Sequence, residues 1–268
     1  MLLREVEYAR PASVQEAVRL LAEYEGARAL AGGQTLINVM KARAASPDVL
    51  VDLNELDELK GIELGPDGTV EIGAMATYSD VIDSAEARAR PILGEVCAQI
   101  ADVQVRNRGT VGGNICSNDP TNHLPPLLVA VRATMTIAGS DGERAVPAEE
   151  FFLGVYMTAA GPGELLTKVS LPAGKSDGFA SVAIGTDGTC IVSAAASLNG
   201  GGPRIAIGCV DAVPVLVQPG STDADAVRQA VRDAALNPPA DVHASADYRR
   251  HLAEVLAVRA VEQAVRGR

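Results

Sequence analysis

Two glycine pairs decide how this chain is interpreted: Ala31-Gly32-Gly33-Gln34-Thr35-Leu36-Ile37 and Thr110-Val111-Gly112-Gly113-Asn114-Ile115. Glycine has no Cβ, so its backbone adopts positive φ and can approach a ligand closely, with consecutive N–H groups as donors to phosphate oxygens. The first pair follows a short apolar run and precedes a possible helix, whose N-terminus would favour the same anion. One such pair is also typical of an ordinary tight turn. Two pairs together indicate one large anionic ligand.

The composition limits the possible functions. The 268 residues carry a formal net charge of −11 and are 47% hydrophobic, enough for one large domain or two to three small ones. A nucleic-acid-binding surface needs clustered Lys and Arg, which this charge balance disfavours. Tryptophan is absent and only five tyrosines occur. A flavin ring would therefore rest on aliphatic side chains or on one of those tyrosines.

Neither membrane nor metal signals are found in the sequence. No apolar stretch is long enough to span a bilayer, and the charged first residues do not resemble a signal peptide. The four cysteines lack Cys-x-x-Cys spacing, so we expect no metal site and no iron–sulfur cluster held by this chain alone. Buried free thiols are the simpler interpretation of all four. These features predict a cytoplasmic protein.

Glycine and proline turns divide the chain into three predicted units. Residues 1–56 form a first α/β subdomain, in which Ser13-Val14-Gln15-Glu16 is a capping box that opens a helix. Residues 57–172 form a second, which includes a hairpin around Gly65-Pro66-Asp67-Gly68 and a helix from His123 through Ala133. After a linker at 172–178, residues 178–268 are expected to form a three-stranded antiparallel sheet with two helices.

The string from Ile100 to Ile115, continuing into Asn118-Asp119-Pro120 and His123-Leu124-Pro125-Pro126, resembles the flavoprotein subunit of molybdenum hydroxylases. This is the carbon monoxide dehydrogenase and xanthine dehydrogenase family. Its flavin domain carries Ala-Gly-Gly-(Gln/His)-(Ser/Thr)-Leu and Thr-(Ile/Val)-Gly-Gly-Asn segments, and both occur here in the same order. The resemblance covers the whole chain and implies an α+β fold. Two small subdomains would form an FAD cleft similar to that of vanillyl-alcohol oxidase, followed by a C-terminal domain.

The resemblance also implies which residues bind FAD. Those expected at the pyrophosphate and the ribityl chain, or at nearby cofactor hydroxyls, are Ala31, Gly32, Gly33, Gln34, Thr35, Leu36, Thr110, Gly112, Gly113, Asn114, Asp119 and His123. His123 departs from the acidic residue that many relatives have at this position. Asp119 could replace that residue or act only as a turn residue. Lys41 could offset phosphate charge or be a solvated helix end, and Arg106 and Arg108 could face the pyrophosphate, face a partner subunit or be structural. The neutral segment 184–189 replaces a charged stretch near the flavin edge in relatives.

The implied function is electron transfer. In the family, a large subunit oxidises the substrate at molybdopterin, and a small subunit with two 2Fe-2S clusters relays electrons to the FAD of the medium subunit. We expect such heterotrimers to pair into a dimer, and we expect no catalytic acid, base or nucleophile in this chain. Two alternatives stay open: a self-sufficient flavin oxidoreductase, and a non-catalytic assembly subunit that has lost flavin.

Overall fold

A computed structural model describes residues 3–185 and 188–267. Its architecture consists of three main sheets in chain order, each covered by helices. No helix in these two ranges is both long and apolar enough to cross a membrane.

The first sheet is parallel and carries the first glycine pair at one strand end. Its strands lie in the order β1-β3-β2 and span Glu7–Ala9 (β1), Arg28–Leu30 (β2) and Val49–Asp52 (β3). Two helices connect them, Val14–Glu23 (α1) and Leu36–Lys41 (α2). The Ser13 hydroxyl caps α1 as predicted, accepting from the Glu16 N–H at 3.2 Å. The Glu16 carboxylate instead accepts from the Ala12 N–H, so the predicted capping box is formed only in part.

The second sheet is antiparallel, with five strands in the order β4-β5-β10-β6-β7. They span Ile62–Leu64 (β4), Val70–Gly73 (β5), Thr134–Gly139 (β6), Gly142–Pro147 (β7) and Leu165–Leu171 (β10). A separate small hairpin joins Phe152–Gly154 (β8) to Met157–Thr158 (β9). The last strand of this unit, β10, lies in the middle of the sheet, between β5 and β6.

Six short helices cover the second sheet. They span Tyr78–Asp83 (α3), Ile92–Cys97 (α4), Val103–Arg106 (α5), Val111–Ser117 (α6), Leu124–Ala130 (α7) and Ala148–Phe151 (α8). The helix predicted to run through Ala133 ends at Ala130. The reason is the backbone of Arg132, whose φ of 57° is left-handed and cannot continue a right-handed helix. The apolar sides of these helices and of the sheet form one large buried cluster.

The third unit is an antiparallel sheet in the order β11-β12-β13-β14. Its elements span Asp177–Ala183 (β11), Cys190–Ser197 (β12), Arg204–Gly208 (β13), Val215–Val217 (β14), Ala224–Asp233 (α9) and Ala246–Arg266 (α10). The α+β class is confirmed, but the predicted three-stranded sheet has a fourth strand, β14. This strand pairs only three residues with β13. It follows directly after Pro214, so its short apolar run is not distinguished from a turn by sequence pattern.

A buried ion pair fastens the third unit to the second. The Arg90 guanidinium donates to both carboxylate oxygens of Asp177, at 2.7 and 3.0 Å, and also to the Pro172 carbonyl. Both side chains are almost fully buried, 1% and 2% exposed. Asn199 donates to the same carboxylate at 2.9 Å. The predicted linker is therefore fixed near both its ends, because Pro172 and Asp177 both accept hydrogen bonds from the Arg90 guanidinium.

Candidate functional site

The first glycine segment, residues 31–36, crosses from the end of β2 to the start of α2. Gly33 has a φ of 72°, in the left-handed region that favours glycine. At Gly32 a Cβ would lie 1.9 Å from the carbonyl oxygen of Arg108. Gly33 is thus required for the turn, whereas Gly32 is required for the contact with the chain just before the second glycine segment.

The N–H groups of the first glycine segment are free. No acceptor in residues 3–185 or 188–267 takes the backbone N–H groups of residues 32–36, and the Thr35 hydroxyl caps no N–H of α2. Five successive N–H groups without a protein acceptor are donors of the kind that binds phosphate, and three of them, those of residues 32–34, belong to residues that line a cleft. This is the strongest ligand signal in the described structure.

The second glycine segment, residues 110–114, has a different construction. Thr110 caps α6, with its hydroxyl accepting from Gly113 N–H at 3.0 Å, and its carbonyl accepts from Asn114 N–H at 3.0 Å. The N–H of Gly112 donates to the Ala74 carbonyl at 2.8 Å, and a Cβ on Gly112 would lie 2.6 Å from that of Ala74. Gly112 therefore permits close packing, and these N–H groups are not free donors.

Gly113 is the exposed member of the second segment. A Cβ built on it would lie 3.9 Å from the Cβ of Ala31, so the two glycine segments lie side by side. Asn114 is 8% exposed, and its Oδ1 has no partner among the described residues. The second segment offers a ligand a bare backbone surface at Gly113, and the amide oxygen of Asn114 is buried behind it without a hydrogen-bond partner.

A polar cleft of about 420 Å³ lies at the first segment. Its lining includes four predicted site residues, Ala31 to Gln34, and the cations Lys41 and Arg108. It also includes Tyr8, Asp52 and Asn54, to which no sequence motif points. An acidic residue at the end of a parallel strand was the signal that could have found Asp52. A larger groove between α1 and the β6–β7 hairpin contains none of the predicted site residues.

Asp119 lies outside this cleft and has partners of its own. One carboxylate oxygen accepts from the N–H and hydroxyl of Thr121, at 2.9 and 2.8 Å, and the other accepts from the Tyr156 hydroxyl at 3.2 Å. The turn interpretation therefore accounts for its hydrogen bonds. Arg106 is likewise satisfied within the chain, since it donates to the carbonyls of Ile100 and Ala101.

His123 is buried against the third unit. Its ring lies 5.3 Å from that of Phe179, tilted by 36°. Burial lowers the pKa of the imidazole to about 4, so it is neutral at physiological pH. The structure does not bring His123 to the cleft of the first glycine segment. No group of three or more potential metal ligands occurs in the described part of the chain.

Two further sequence-based expectations have different outcomes. All four cysteines are free; three are buried residues, whereas Cys116 is an exposed residue. Of the segment 184–189, Thr186 and Asp187 lie outside the described residues.

Comparison with known proteins now decides the family. Residues 4–174 match the model of the "FAD binding domain in molybdopterin dehydrogenase". The chain belongs to this family. A carbon monoxide dehydrogenase medium chain of Hydrogenophaga pseudoflava is 47% identical over 170 residues, which are 62% of this chain and 58% of that one. The corresponding chain of Afipia carboxidovorans is 37% identical over 96% of both chains.

A solved structure extends this relation to the whole fold. A chain of a Cu,Mo-CO dehydrogenase superposes with a TM-score of 0.93 over 100% of both chains, at 35% identity. The chain is thus a medium subunit of the molybdenum hydroxylase family and carries an FAD-binding domain. The suspected family, the oxidoreductase class and the FAD cofactor are confirmed.

Proposed function

We propose that this chain is the electron-transfer subunit of a molybdopterin-dependent hydroxylase or dehydrogenase. Its FAD would accept electrons from the 2Fe-2S clusters of a partner subunit and pass them to an external acceptor. The observation that carries the proposal is the row of five free N–H groups beside two cations, in a chain that resembles medium subunits over its whole length.

The residues present fit the pyrophosphate of FAD. The N–H groups of residues 32–36 would donate to its oxygens, and Lys41 and Arg108 would offset its charge. Gly113 would form the opposite wall, because its bare backbone lies close to Ala31. Ala31, Gln34, Thr35, Leu36, Thr110, Gly112 and Asn114 would shape this wall and the turn.

Asp119 and His123 would act differently from the sequence-based expectation. Both are engaged with protein groups, so we assign them to support of the loop that follows α6. The neutral imidazole of His123 would pack against Phe179 without adding charge near the cofactor.

The assembly belongs to the same proposal. An iron–sulfur small subunit and a molybdopterin large subunit would complete a heterotrimer, two of which would form a dimer in the cytoplasm. Within this chain, residues 1–56 and 57–172 would be the two FAD-binding subdomains, and residues 178–268 the C-terminal domain. The glycine cradle beside Lys41 and Arg108 supports this function over an assembly subunit that has lost flavin, because such a subunit would not need cations next to a row of backbone donors.

Denaturing the purified complex tests the cofactor, and reduction kinetics test the electron relay. We expect release of FAD and no FMN. Stopped-flow spectra should show bleaching of the flavin band by substrate only when the partner subunits are present. Recovery of FMN alone would contradict the binding proposal. Rapid bleaching in the isolated chain would instead support a self-sufficient oxidoreductase.

A further inference from the structure

We propose that Asp52 binds a ribose hydroxyl of the adenosine half of FAD, with Tyr8 and Asn54 as positioning residues. This inference deepens the proposed function and rests on it. It concerns the part of the cleft that lies beyond the five free N–H groups and that neither glycine segment forms.

The parallel sheet puts Asp52 beside the first glycine segment. In the pairing of β2 with β3, Leu30 lies opposite Asp52, so both strands end at the same level. Ligands of parallel sheets bind beyond the carboxyl ends of the strands, in the crevice between them. A group bound at residues 32–36 therefore has the Asp52 carboxylate as its lateral neighbour.

A hydrogen-bond network fixes the carboxylate. Asn54 donates to Asp52 Oδ1 from both its backbone N–H, at 3.0 Å, and its side-chain amide, at 2.5 Å. The same amide donates to the Ala31 carbonyl at 3.2 Å, which ties the carboxylate to the glycine segment. The Tyr8 hydroxyl donates to Oδ2. Oδ2 has only this one donor among the described residues, and a carboxylate oxygen accepts two, so it can take one more.

Asp52 is suited to a hydrogen-bond donor of the ligand and not to a phosphate oxygen. Burial raises its pKa, but the hydrogen bonds from Tyr8 and Asn54, together with nearby Arg10, outweigh this and leave the pKa below its usual value. An ionised carboxylate beside a pyrophosphate repels it. The donors nearest to the pyrophosphate of FAD are sugar hydroxyls, which suit such an acceptor.

Two parts of FAD carry sugar hydroxyls, and the surroundings favour the adenosine half. Two directions lead away from the first glycine segment. One leads past Ala31 to Gly113, and the other leads to Asp52 at the end of β3 in the first sheet. Tyr8 is 55% exposed and lines the cleft there, so its ring offers a face to a flat base. If the ribityl chain extends toward Gly113, the ribose lies at Asp52.

The test measures binding to the deflavinated protein by calorimetry, with FAD, FMN and ADP as ligands. We expect Asp52→Asn to weaken FAD and ADP at least tenfold and to change FMN less than twofold. The control is Asp57→Asn, which removes an exposed carboxylate five residues further along the chain that pairs with Lys60 and should leave all three affinities unchanged.

Ligand analogues make the test independent of variant folding. The unsubstituted chain should bind 2′-deoxy-ADP or 3′-deoxy-ADP at least tenfold more weakly than ADP, and Asp52→Asn should reduce this ratio to less than twofold. Equal binding of ADP and both analogues by the unsubstituted chain would overturn the inference. An equal loss of FMN and FAD would assign Asp52 to the ribityl side and overturn it as well. If the unsubstituted chain bound no FAD, the proposed function itself would fail.

Discussion

Replacing Gly33 by valine should remove most FAD binding without unfolding the chain. The φ of 72° costs an L-residue roughly 1–2 kcal/mol, and a β-branched side chain more. The new Cβ would also lie 3.1 Å from Ile37 Cγ1. If the segment relaxes to negative φ, at least one N–H group turns away from the pyrophosphate, which costs about 1.5–3 kcal/mol for a charged acceptor.

Because relaxation relieves the backbone strain, the lost hydrogen bond sets the binding penalty, and FAD should bind roughly 10- to 150-fold more weakly, since 1.4 kcal/mol is a factor of ten. The assay is calorimetric titration of the deflavinated protein with FAD, combined with the FAD content as purified. Gly142→Val is a matched control, because Gly142 also has positive φ, 111°, but a Cβ added there would meet no heavy atom within 4 Å, and it lies far along the chain from both segments. If Gly33→Val and the control bound FAD equally well, residues 32–36 would not be the pyrophosphate site.

Two further predictions concern stability. Arg90→Met should lower the free energy of unfolding by about 3–5 kcal/mol in chemical denaturation, because it leaves the buried Asp177 carboxylate without its cation. Full recovery of stability in the double variant Arg90→Met/Asp177→Leu would identify the uncompensated charge as the cause. An unchanged denaturation midpoint for Arg90→Met alone would contradict the prediction. The low pKa of His123 means that the unfolded chain binds a proton between pH 6.5 and about 4 while the folded chain does not. Stability should therefore be complete above pH 6.5 and fall by up to about 3 kcal/mol as the pH approaches 4, and His123→Asn should lose this part of the pH dependence.

The sequence predicted the local elements better than the contacts between them. The cap at Ser13, the hairpin around residues 65–68 and both glycine segments follow from local residue preferences, and each has a counterpart in the structure. Which glycine serves a ligand and which serves packing depends on chain segments far away. Gly32 packs on Arg108 and Gly112 packs on Ala74, and neither contact is encoded near the glycine itself.

The missed part of the candidate site has the same cause. Asp52 ends an apolar strand and is an ordinary strand terminus by local pattern. Its relation to residue 31 arises only from the parallel register of β2 and β3 and from the bridging amide of Asn54. The family resemblance predicts a cofactor contact for His123, whereas packing against Phe179 of the third unit determines its surroundings.

The central place of β10 sets the order in which the site can form during synthesis. Thr167 of β10 accepts from the Ala74 N–H at 2.9 Å, and Ala74 in turn accepts from Gly112. A nascent chain that lacks β10 therefore contains both glycine segments but lacks the strand that hydrogen-bonds Ala74, the residue on which Gly112 packs. Because the chain emerges from its N-terminus, the cleft can close only after about residue 171 has been made. We therefore expect cofactor insertion to follow the synthesis of β10.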